Sequence, residues 1–490
     1  MTSLPTVIAS MLIVATTLVA GPPVPDDDAP AAPTVAAPEP DVDEGKRLLG
    51  EGDKLADEGK PTDAVVKYKE AFERLLPGLR QVEFKRSVAR DVTPRAELGD
   101  YLKREFDRQL TPEEFAASEL GYKALGLIPA DMDLKATMLE LLTEEVAAFY
   151  DSRTETMHLI EEPPPGEGGK KPGLLEKLLG KKEGFDKDEN KTVIAHELTH
   201  ALADQNFDLD KLQDAVKGDD DQTTALAALI EGEATLAMMG ASMEDWDGKQ
   251  SAALPAAGLE RSLGLMGPLM STLGGPALRK APPYLAESLT FPYLRGMVFC
   301  ATLANKGGWK AINSAYENPP ISTEQILHPE KYLDHPDLPM VIDLGELDGG
   351  EGWTEAGRNT AGEMSMAVML KRHGGAKAAA GWDGDEFAVF RGPEGKLGLA
   401  WLTTWDDEAE AREFARGYGR FQATKLEAGA PEAPAEADAL YRERDGRWYA
   451  VVRRGADVAV VEGFPAEATG RLVDGLLAAE KAEWKPAAKD

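Results

Sequence analysis

Cysteine occurs once in 490 residues, at Cys300, which excludes an internal disulfide and any cysteine-rich zinc module. Basic charge is also short. Lys and Arg number 54 against 86 Asp and Glu, and the net charge of −32 repels polyanions, which argues against nucleic acid or an anionic membrane as partner. Apolar runs are scarce: the one at Val7 to Ala20 is too short to span a bilayer comfortably and has the length of a signal-peptide core. Residues 1–20 are therefore expected to be an export signal or anchor, with the chain exported to periplasm, envelope or medium and no bulk membrane domain. No cysteine stands directly after the run, so a lipoprotein anchor is excluded. Histidine is rare as well, with six in the chain, so each one carries information.

What is present suffices for several domains, since 43% of residues are hydrophobic. Residues 21–42, rich in Pro, Ala and Asp without periodicity, read as a disordered linker. From Gly45 the pattern turns helical, and Leu48, Gly52, Leu55, Ala64, Tyr68 and Ala71 fall near the spacing of one tetratricopeptide helix pair within a helical region, 43–140. A single such unit must pack on its neighbour. "VAAFYDSRTETMHLIEE" reads as a hairpin with strands Val146–Tyr150 and Thr156–Ile160, and Pro163–Lys191, the most basic stretch, as a surface loop with a short helix. Residues 336–490 show a β-β-α-β-β-α order, a small C-terminal α+β domain. The fold class expected is α+β, mainly α-helical.

The chemistry concentrates in "VIAHELTHAL", Val193 to Leu202. On a helix, residues four apart share a face, so His196 and His200 can offer imidazole nitrogens to one ion, while Glu197 is rotated about 60° from His200 and falls beside it. Zinc favours such ligands, and a hydrolytic site adds a third protein ligand and keeps one position open. "TALAALIEGEATLAMM", Thr224 to Met239, places two acids inside an apolar helix, where an unpaired carboxylate costs several kcal/mol. Glu231 is flanked by Ala227, Ala228, Ala234 and Thr235, small residues that would admit the motif helix, and is taken as the ligand; Glu233 is the alternative.

"HELTHALADQ" followed by "EGEAT" resembles the gluzincin metallopeptidases, the thermolysin-like group, and also exported bacterial proteins with the same motif pair. The resemblance spans about residues 145–240 and implies a zincin-like core, here 141–335, with Zn2+ held by His196, His200 and Glu231 and Glu197 as general base. It further implies a hairpin whose edge strand holds a peptide or protein substrate. Thirty residues separate His200 from Glu231, and Thr235 stands where that family usually has an aspartate supporting the first histidine. A peptidase also needs an oxyanion donor; the candidates are His328, Tyr332 and Tyr293, and His328 is the one chosen. His158 is expected to be structural or at the cleft rim, His335 and His373 to be solvated, and Asp219, Asp220 and Asp221 to form a hydrated acidic loop. The competing reading is a non-catalytic exported binding protein on the same scaffold.

Overall fold

The computed structural model describes residues 35–161, 186–273, 276–334, 336–427 and 438–485. The expected export segment, the first part of the linker, most of the basic loop and His335 lie outside them. The protein is α+β and mainly helical. Among the described residues no helix is long and apolar enough to cross a membrane.

Helix α1 (Val42–Asp57) starts where Asp41 accepts the amide of Glu44, and α2 (Pro61–Arg80) follows. Their contact depends on missing side chains: a Cβ on Gly45 or Gly52 would lie 2.5 Å from Leu75 or Tyr68. The next stretch departs from the purely helical expectation. Ala89–Pro94 is a strand, β1, before α3 (Arg95–Gln109), α4 (Pro112–Leu125, capped by Thr111) and α5 (Leu134–Glu145). The hairpin consists of β2 (Ala148–Asp151) and β3 (Thr156–Glu161), and β1 joins it in parallel to give the order β1-β3-β2. Because β1 bonds to a strand more than sixty residues away and is largely exposed, no local periodicity announces it.

Two buried helices follow. α6 (Lys187–Phe207) begins at Asp186, which accepts the amides of Asp188 and Glu189 at 2.9 and 3.2 Å, so Lys187–Lys191 belong to this helix and not to the basic loop. α7 (Asp220–Ser242) is buried on nearly every side. Helix α8 (Pro283–Gly307) crosses α7 at backbone contact: a Cβ on Gly232 would lie 2.1 Å from Gly296, and one on Gly296 would lie 2.0 Å from the Ala228 carbonyl. The small residues of α7 at this crossing thus admit α8, where the sequence suggested the motif helix. α9 (Trp309–Glu317) packs behind them.

In the C-terminal unit, β4 (Met340–Asp343), β5 (Thr354–Asn359), α10 (Gly362–Leu370), β6 (Trp382–Arg391) and β7 (Leu397–Trp405) precede α11 (Glu408–Lys425). β8 (Ala439–Arg444), β9 (Arg447–Arg454), β10 (Asp457–Phe464), α12 (Ala466–Leu476) and β11 (Glu480–Glu483) complete it. The main sheet runs β5-β6-β7-β10-β9-β8, all neighbours antiparallel, and β11 pairs with β4. Edge strands β5 and β8 extend the expected four-strand pattern. The motif "GWDGDEF" has a physical role here: Asp385 accepts the amides of Ala361 and Gly362 at 2.9 Å and the indoles of Trp382 and Trp401 at 2.8 Å, fixing the corner between β5 and α10.

That corner grips the start of α7. Asp219 caps the helix, the Asp220 amide donates to Asn359 at 2.9 Å, and Tyr122 donates to the Asp220 carboxylate at 3.0 Å. Asp221 accepts the Thr323 amide at 3.0 Å and its hydroxyl. The three acids are therefore a helix start complementing the macrodipole, buried or half-buried against their partners, and not a hydrated loop.

Candidate metal centre

His196 and His200 lie mid-helix on α6 between Val193 and Ala203, all buried. The tail of the same motif anchors the helix. Asp204 accepts the Tyr150 hydroxyl from β2 at 3.0 Å and the Leu209 amide at 3.1 Å, while Gln205 accepts the amides of Lys85 and Arg86 just before β1, at 2.8 and 3.1 Å. The helix can neither rotate nor slide against the small sheet without breaking these bonds.

Glu231 of α7 completes the group. His196 Nε2 lies 3.0 Å from His200 Nε2 and 3.2 Å from Glu231 Oε2, and His200 Nε2 lies 3.5 Å from that same oxygen. Two ligands held at about 2.1 Å by a tetrahedral ion stand about 3.4 Å apart, so this triangle has the size a zinc ion requires. The rings meet nearly at right angles, 85°, which lets both nitrogens point to one centre. Burial raises the Glu231 carboxyl, but His200 and the hydrogen bonds from His196 and His200 outweigh it and hold the group at about 2. Burial pushes the His200 imidazole down, toward the neutral form that ligates metal, against the opposing charge of Glu231. The residues present fit zinc.

Glu197 does not join the triangle. Its carboxyl is buried and pushed well above the usual range by desolvation and by the charge of Glu231, opposed by the Tyr150 amide. Its Oε2 has no hydrogen-bond partner among the described residues. His196 Nδ1 and Thr235 Oγ1 are likewise buried without partners, so the threonine does not replace the carboxylate that commonly orients a ligating imidazole.

Glu233 faces elsewhere. It takes hydrogen bonds from Arg80 of α2 and Tyr316 of α9, and Arg80 also donates to Asn313 at 3.1 Å and lies over the Trp309 ring at 4.5 Å. Arg80 was missed because nothing in its helical pattern marks it as a cation that will be fully buried.

Of the three oxyanion candidates, the one the structure brings to the centre is Tyr293, on α8. Its ring lies 6.0 Å from that of His196 with the planes 20° apart, and burial, followed by the charges of Glu231 and Glu197, keeps its hydroxyl protonated. The choice of His328 is corrected: its Nε2 bonds Glu363 of α10 at 3.0 Å, a link to the C-terminal unit. Tyr332 donates to the Asn318 carbonyl at 2.7 Å. His158 stacks on Phe149 at 4.6 Å inside the small sheet and contacts Thr93 at 3.1 Å, a structural position. His373 is half-exposed beside Phe421.

A second convergence of acids, Glu324, Asp337 and Asp406, already surrounds a cation, since Lys331 Nζ lies 2.6 to 2.8 Å from each. The His196, His200 and Glu231 group thus stands apart as a buried three-donor centre with an acid beside it. A family model described as Domain of unknown function (DUF8575) matches residues 351–474, the C-terminal sheet and its helices, and does not reach these residues. No curated protein and no solved structure matches the chain.

Proposed function

We propose that the protein is a zinc-dependent hydrolase of peptide bonds of the gluzincin type, working in an exported compartment. The observation that carries this reading is the triangle of ligand atoms, 3.0 to 3.5 Å on a side, built from a His-Glu-x-x-His helix and a glutamate of a second helix. When bound, zinc supplies Lewis acidity, polarising a carbonyl and making water acidic near neutral pH. Glu197 Oε2, buried beside the ligands and without a hydrogen-bond partner among the described residues, carries the proton from water to the leaving amine. The Tyr293 hydroxyl, protonated throughout the working range, donates to the oxygen that gains charge.

A peptide as substrate is what the resemblance implies; β2 is an edge strand of the small sheet, but all four of its residues are buried and the Tyr150 amide already bonds Glu197. The export assignment rests on Val7–Ala20.

One observation favours the alternative of a non-catalytic zinc-stabilised binding protein: His200 and Glu231 are 1% and 0% exposed. Glu197→Gln separates the two readings, because the change is nearly isosteric and spares the three ligands. Zinc content and melting temperature should stay at wild-type values while hydrolysis of casein or a quenched peptide library falls at least about a hundredfold. Equal cleavage by both proteins, or none by either while both hold zinc, would favour the binding protein.

A further inference from the structure

A cleft of about 980 Å³ separates the C-terminal sheet from the helical region. One wall is the sheet end where β7 begins, β10 finishes and β8 turns into β9; the other is the segment after α4 with Pro282 and Pro283 at the entry of α8. Leu127, Ile128, Phe421 and Tyr449 give it apolar lining.

Its charge is opposite in sign to that of the chain. Five cations line it, Lys123, Lys280, Lys425, Arg444 and Arg447, against Glu427, Asp445 and Glu462, in a protein whose net charge is −32. Glu462 is already neutralised within the wall by Lys425 at 2.5 Å, Tyr418 at 2.9 Å and Gln422 at 3.1 Å. Lys123 is engaged by Glu119 at 2.6 Å, and Arg444 reaches Glu427 and Asp445 only at 3.8 and 3.6 Å. Lys280 and Arg447 make no ion pair among the described residues. Two uncompensated cations thus line a cleft that also offers apolar surface.

We propose that this cleft is a docking site for an acidic peptide segment, its carboxylates meeting Lys280 and Arg447 and its apolar side chains lying against Phe421 and Leu127. The dimensions and lining choose among anions. A small inorganic anion has no use for the apolar walls, and a nucleic acid would meet the repulsion of a chain whose net charge is −32. A short acidic peptide confines its charge to the cations, since at about 0.1 M salt repulsion from the rest of the chain is screened beyond about 10 Å. Pro283 of the cleft and Tyr293 of the metal centre lie ten residues apart on α8, about 15 Å along its axis, the span of roughly five extended residues. The cleft therefore serves as an exosite that selects acidic substrates; this use rests on the peptidase reading, whereas the binding does not.

The probe is a fluorescein-labelled octapeptide of alternating Glu and Leu, titrated with the full chain carrying Glu197→Gln and followed by anisotropy. Saturable binding is expected, and the double reversal Lys280→Glu with Arg447→Glu should weaken it by about tenfold or more. Reversing Lys249 and Lys371, exposed lysines outside the cleft, should change it less than about twofold. Melting temperatures establish folding, and Lys280→Gln with Arg447→Gln replaces the reversal if that variant does not fold. Absence of saturable binding, indifference to the cleft substitutions, equal affinity for the matched Lys and Leu peptide, or tighter binding of a single-stranded oligonucleotide would overturn the proposal. With the wild-type protein, a quenched substrate bearing an acidic segment five residues from the cleavage site should lose its KM advantage in the cleft variant. Charge-dependent binding without cleavage of any peptide leaves the docking site standing and removes the peptidase; cleavage with charge-indifferent binding does the reverse.

Discussion

Two faces of α7 handle the same problem differently. Glu231 and Glu233 are both buried, two residues apart. Glu233 meets a resident cation, the Arg80 guanidinium delivered by α2, whereas Glu231 meets two imidazoles whose nitrogens converge on one point. A guanidinium closes its site, and imidazoles leave a coordination centre open to an ion. A third carboxylate, Asp204, meets a phenol and an amide, and burial, against those two hydrogen bonds, pushes it up to about 6, so below about pH 6 a proton serves instead. The difference lies in the partner that each face meets, not in the residue type.

The comparison is broken most completely at the imidazoles. His196→Ala or His200→Ala should take zinc content from about one per chain to none by elemental analysis, and Glu231→Gln should lower zinc affinity far more than Glu233→Gln in chelator competition. The reverse ranking would exchange the roles of the two faces. On the other side, Arg80→Met strands Glu233 and should destabilise folding by about 3–5 kcal/mol in urea melts, without changing zinc stoichiometry in whatever protein folds. Between the two acids, Gly232→Ala should cost about 3 kcal/mol, since its methyl would collide with the backbone at Gly296.

The smallest effect belongs to Asp204. Its folded pKa exceeds the unfolded value of 3.8, so between about pH 4 and 6 the folded state holds a proton that the unfolded chain has lost. Its contribution is greatest at low pH and is lost as pH rises through about 6. Asp204→Asn should flatten that fall by roughly 2 kcal/mol when stabilities at pH 4 and 7 are compared with wild type.

Local features were legible in the sequence wherever the signal lay within one element. The spacing of His196 and His200 put both on one face of a helix, the hairpin announced itself by alternation, and acids inside an apolar helix marked α7 as unusual. What could not be read depends on distant partners. β1 bonds to a strand beyond three helices, Arg80 is buried by a residue 153 positions later, and Tyr293 is one aromatic among many on a core helix until α8 is seen crossing α7. His328 was misassigned because a histidine beside proline offers no sign of the Glu363 that engages it. Asp219 to Asp221 had the composition of a loop, and the C-terminal residues that bury them lie more than a hundred positions away.

The close approach of Gly362 to Asp221 bears on how the C-terminal unit can be moved between proteins. Gly362 has φ +72°, and a Cβ there would lie 1.7 Å from the Asp221 carboxylate, so this seam has no room for any side chain. The stretch matching the family model, 351–474, carries one half of that seam, and the other half is the start of the helix that bears Glu231. Transplanted alone, the unit would expose its corner to water; joined to another helical body, it would need a helix beginning with acids in the same place. Recombination at this junction therefore favours inheritance of the two halves together.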